Sequence, residues 1–82
     1  MYALERFEER ETPLGTESVR HRVSEWETWQ QGLEAFLRFL GDRVNGGGGV
    51  VVTAVHLGMT TASATVEDTW AGTSFEIVLA WA

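Results

Sequence analysis

The widest apolar pattern in the chain lies between Ser24 and Asn45. Trp26, Trp29, Leu33, Phe36, Leu37, Leu40 and Val44 recur there mainly at spacings of three and four. That periodicity predicts one long amphipathic helix over residues 24–45, with this stripe turned to the core. Ser24 and Glu27 have the spacing of a capping box, which places the helix start at Ser24. Asn45-Gly46 supplies residues suited to a helix end. A second row, Thr28, Gly32, Ala35 and Phe39, is uncharged and partly small. It reads as a further helix face that another backbone can approach, which makes these four residues candidates for partner binding.

Period-two patterns flank the helix. Val19, His21 and Val23 alternate with Ser18, Arg20 and Arg22, predicting a strand over 17–23. Tyr2 and Leu4 begin a similar alternation, and Thr12-Pro13-Leu14-Gly15 has turn chemistry. Residues 1–23 therefore read as a β-hairpin, although Glu8-Glu9-Arg10-Glu11 also suits helix by propensity. Val50–Leu57 is apolar at both alternating sets, the pattern of a central strand covered on both faces. Gly58-Met59 suits a tight turn. Ala62, Ala64 and Val66 alternate with Ser63 and Thr65, and Phe75, Ile77, Leu79 and Trp81 with Glu76, Val78 and Ala80. Residues 50–82 read as a three-stranded antiparallel meander. The expected fold is α+β in a single domain: an N-terminal β-hairpin, one long amphipathic helix, then a three-stranded meander forming one sheet against the helix.

Composition narrows the functional classes. The chain has 82 residues, no cysteine and a formal net charge of −6. Without cysteine it forms no disulfide framework. There is no lysine, and all six arginines lie within the first 43 positions. An acidic chain without lysine is a poor match for the phosphate backbone, so direct nucleic-acid binding is not expected. No apolar run is long enough for a membrane helix, and the N-terminal residues do not resemble a signal peptide, so a cytoplasmic location is expected. From Val44 onward the only charges are Glu67, Asp68 and Glu76. That half of the chain is too apolar to face water on both sides. It adds Val50 and Val52 to the candidate partner surface and favours a homodimer or a tight protein partner.

Chemical motifs are sparse. Gly46-Gly47-Gly48-Gly49 lacks the lysine of a phosphate loop and reads as a flexible connector. His21 and His56 would make a metal pair only if their strands were neighbours, with Glu76 as a third ligand; the spacing of a zinc site is missing. Glu67-Asp68 reads as a solvated pair, and no serine has the context of a nucleophile. Trp70, beside these acids in a loop, is a candidate interface anchor or cation contact, or else a cap on the core. No catalytic, cofactor or metal residues are assigned.

The run from the long helix through Val50 and Val52 to Phe75-Glu76-Ile77-Val78-Leu79-Ala80-Trp81 resembles the bacterial trypsin-co-occurring domain. The likeness covers Trp26 to Trp81. It departs where that family ends its valine-rich strand in glycine, because here Gly58 comes later. The resemblance implies a small non-enzymatic module of bacterial defence or conflict systems, coupled to peptidase or nucleotide-dependent effectors. Three functions follow as expectations. The first is a protein-interaction adaptor. The second is a phage or mobile-element inhibitor, anti-CRISPR-like or a DNA mimic, and the third a small-ligand-binding protein.

Overall fold

The computed structural model describes residues 1–46 and 48–82. Strands dominate it: β1 (Tyr2–Thr12), β2 (Gly15–Trp26), β3 (Val50–Leu57), β4 (Ala62–Asp68) and β5 (Thr73–Trp81), with one helix, α1 (Trp29–Asn45), between β2 and β3. All five strands join one antiparallel sheet in the order β2-β1-β5-β4-β3. This overturns the expected hairpin, helix and three-stranded meander. The hairpin is not a separate piece, because β1 pairs with β5 from Tyr2↔Trp81 to Phe7↔Glu76. Leu4 then lies beside Leu79, and both are buried. Sideways extension of the sheet hides Leu4 under the helix, which an isolated hairpin would leave in water.

The core lies between α1 and one face of the sheet. Phe36 and Leu40 come from the helix, Ala62, Ala64 and Val66 from β4, Ile77 and Leu79 from β5, and Leu4 from β1. Alternate residues of the inner strands point to the opposite face, which no helix covers among the described residues. The molecule is 18 Å across its thinnest axis, as two layers require.

Two features of the helix differ from expectation. It starts at Trp29, not Ser24: Thr28 is the cap, its Oγ1 accepting from Gln31 N at 3.2 Å while Gln31 Oε1 accepts from Thr28 N at 3.4 Å. Ser24 belongs to β2, opposite Leu4, and its Oγ accepts from Trp26 Nε1 at 2.8 Å. Both Ser24-x-x-Glu27 and Thr28-x-x-Gln31 match the capping box, and pairing of β2 with β1 as far as Trp26↔Tyr2 leaves only the second available. The helix is also rotated. Gly32, Phe36 and Leu40 face inward, whereas Leu37 and Val44 are 49% and 50% exposed.

The loops are tightly held. Thr12 Oγ1 donates to Gly15 O at 2.8 Å across the β1–β2 turn. After the helix, Gly49 has φ +86° and its carbonyl accepts from Thr69 N at 2.7 Å and Thr69 Oγ1 at 2.8 Å. The expected flexible connector is, at Gly48 and Gly49, a backbone packed under the Trp70 ring; its Gly47 part lies outside the described residues.

Candidate functional site

The two edges of the sheet are chemically opposite. The β2 edge carries Glu17, Arg20, Arg22 and Glu25. Arg20 and Arg22 reach across to Glu5 on β1, Nε to Oε2, at 3.5 and 3.8 Å, and Arg22 Nη1 meets Glu25 Oε1 at 2.6 Å. The Glu25 hydrogen bond raises the Arg22 pKa above its ordinary value. Charged side chains of this kind guard an edge against strand addition.

The β3 edge has no such guard. Its sequence, Val-Val-Val-Thr-Ala-Val-His-Leu, carries no acid, lysine or arginine. Val51 is 44% exposed, Val55 48% and Leu57 61%. The strand was expected at the centre of the sheet, and the structure places it at an edge. Its apolar residues on both faces are thus only partly covered. The only irregularity is a bulge: Thr53↔Thr65 and His56↔Ser63 are in register, with two β3 residues between them facing one of β4. Ala54 there has φ +51°, a conformation usually left to glycine.

The two flanks of α1 differ. Ala35 and Phe39 line a groove of about 470 Å³ with Leu4, Val23 and Trp26 on the β2 side. Leu37 and Val44 occupy the opposite flank of the helix.

The seven expected partner-binding residues are separated by the fold. Thr28 caps the helix, and Gly32 is buried against Leu79. Ala35 and Phe39 are half-buried, and the Phe39 ring packs edge-on against Phe75 at 6.1 Å. The row from Thr28 to Phe39 is therefore not a free face: its small residue faces the sheet. Val50 and Val52 are half-buried against the core, on the helix side of β3. Trp70 is 81% exposed, so it does not cap the core. Its ring lies over Gly48 and Gly49, and Asp68 Oδ1 accepts from the backbone N–H of Trp70 and of Ala71, each at 3.0 Å. This Asp68 arrangement fixes a turn and does not form a cation box. The exposed residues Leu37, Val44, Val51, Val55 and Leu57 were missed. The signal for Val51, Val55 and Leu57 is the apolar character of both alternating sets in Val50–Leu57, a pattern that fits an uncovered edge as well as a covered centre.

His21 lies on β2 and His56 on β3, the two opposite edges of the sheet. Among the described residues no group of three His, Asp or Glu side chains is placed to hold a metal. Among the same residues, no helix is long and apolar enough to cross a membrane. Comparison with protein-family models, curated proteins and solved structures found no match.

Proposed function

We propose that this chain is a small acidic, non-enzymatic protein-interaction module, an adaptor that accepts an extended strand of another protein chain along β3. The observation that carries this reading is the contrast between the two edges of one sheet. β2 is guarded by charge, and β3 is neutral, apolar and exposed. Strand addition supplies backbone hydrogen bonds from the open ladder, and side chains beside the edge supply selectivity. The left-handed Ala54 supports the reading, because backbone strain tends to be kept where function needs it.

The simplest occupant is β3 of a second copy. Each chain carries a net charge of −6, so two copies repel one another over most surfaces. The β3 edge is a strip where they meet without opposed acids, and exposed Leu37 and Val44 add apolar area beside it. Within the bacterial setting implied by the closing strand's resemblance, such a dimer would join components of a defence assembly. The inhibitor reading gains less, because Glu5, Glu8 and Glu25 are engaged by arginines and are not ranked like phosphates.

Amide hydrogen exchange as a function of protein concentration tests the proposal. Protection of β3 amides should rise with concentration while β2 amides stay unchanged. Equal, concentration-independent exchange at both edges would count against self-pairing by β3.

A further inference from the structure

We propose that a cavity beside the C-terminal end of α1 binds a carboxylate group between Arg6 and Arg43. Arg6 comes from β1 and Arg43 from the last turn of the helix. Their guanidinium carbons stand 4.0 and 6.0 Å from the centroid of one ring, Phe75, and Arg43 also stacks 4.9 Å over Phe39. Stacking on aromatic faces fixes the planes of both guanidiniums and leaves their N–H edges to bind an anion.

The two groups line a cavity of about 140 Å³ walled by Val50, Val66 and Phe75. Arg6 Nε is shut off from solvent and has no hydrogen-bond partner among the described residues. Arg6 Nη2 has a carboxylate at 3.5 Å, that of Glu8. Arg43 forms no ion pair among those residues. Two positive groups beside one ring, of which Arg43 has no ion pair among the described residues, make a site that favours an anion.

Asp68 and Thr73 also border the cavity, and they narrow the ligand class. The Asp68 charge works against a dianion such as phosphate and is tolerable beside a single carboxylate. At about 30 Å³ per water, the volume corresponds to roughly five waters, enough for a carboxylate on a short stem. The valine walls favour an apolar stem. The group is either a small free acid or a carboxylate of a partner chain, and the site does not depend on pairing through β3.

The test is an NMR titration of the isotopically labelled full chain at constant ionic strength, with sodium butyrate, inorganic phosphate, and a short peptide with a free or an amidated C-terminus. Butyrate should give saturable shifts at the amides of Val50, Val66 and Thr73. In Arg43→Gln, an exposed position, the affinity should fall at least tenfold, with spectral changes confined to residues around Phe39 and Phe75 and the dispersion of a folded chain kept. A free-acid peptide that outcompetes butyrate while its amide is silent would support the site and assign it to a partner's chain end; the reverse order would support a free acid. Non-saturating shifts, equal binding by Arg43→Gln, or tighter binding of phosphate than butyrate would overturn the proposal.

Discussion

Leu79 fills the space that a side chain on Gly32 would need. A Cβ on Gly32 would stand 2.9 Å from Leu79 Cδ1 and 3.3 Å from Cδ2, and Leu79 is fully buried. The missing side chain lets α1 settle onto β5 at the centre of the sheet. Alanine at this position would gain about 1 kcal/mol of helix propensity, but overpacking a filled core costs about 1–3 kcal/mol. Gly32→Ala should therefore be destabilised by about 1 kcal/mol and Gly32→Val by about 3 kcal/mol. Denaturant unfolding measures both. A stabilised Gly32→Ala would mean that the helix does not sit this close to Leu79.

The cap gives a second test. Thr28→Ala should lose about 1 kcal/mol and speed exchange of the Gln31 amide, which Thr28 Oγ1 accepts from. Ser24→Ala breaks only the contact with Trp26 Nε1 and should leave helix exchange unchanged. Faster helix exchange in Ser24→Ala alone would return the helix start to Ser24.

Trp70 and Gly48 should be coupled. A Cβ on Gly48 would meet Trp70 Cη2 at 2.7 Å. Gly48→Ala should destabilise the chain, and a good part of that loss, about 1 kcal/mol, should disappear in a Trp70→Ala background. Additive losses in the double-mutant cycle would show that the ring does not rest on the glycine backbone.

Acid should remove a small contribution made by an ion pair within β1. The hydrogen bond from Arg10 to Glu8 Oε1, at 2.9 Å, is the main reason that the Glu8 carboxyl titrates below its ordinary value of 4.5. A carboxyl lowered in the folded state stabilises the fold above its unfolded pKa, and the effect is lost as pH falls through the folded value. Melting temperature should thus fall more steeply for the parent than for Glu8→Gln as pH drops below 4.5. The effect should be small and salt-sensitive, because the pair is exposed. Parallel pH curves for the two proteins would dismiss the pair as a contributor.

What was legible in the sequence was local. Ile77 and Leu79, and likewise Ala62, Ala64 and Val66, alternate with residues that face the other way, and both sets are buried as their period of two implies. The features that failed depend on pairing between distant segments. Strand order turned β3 from a doubly covered centre into an edge, and nothing in Val50–Leu57 itself encodes that difference. Trp26 suits both a helix stripe and a long strand, and only its pairing with Tyr2 decides. Gly32 looked like an outward gap because its partner, Leu79, is far away in sequence. The meeting of Arg6, Arg43 and Phe75 likewise arises only once β1 lies beside β5 under the helix.

Pairing through β3 is tested most directly by the mass of the species in solution. Val52 is half-buried against the core, so an acid there would probe folding; Val51, exposed at 44% on the bare edge, is the position that reports on association. Sedimentation equilibrium of the parent at micromolar concentration should give twice the chain mass of 9.1 kDa. Val51→Lys should return a folded 9.1 kDa species, because a lysine guards an edge against strand addition. A parent that remains at 9.1 kDa, or a dimer that Val51→Lys leaves intact, would contradict the assignment of β3 as the self-pairing edge.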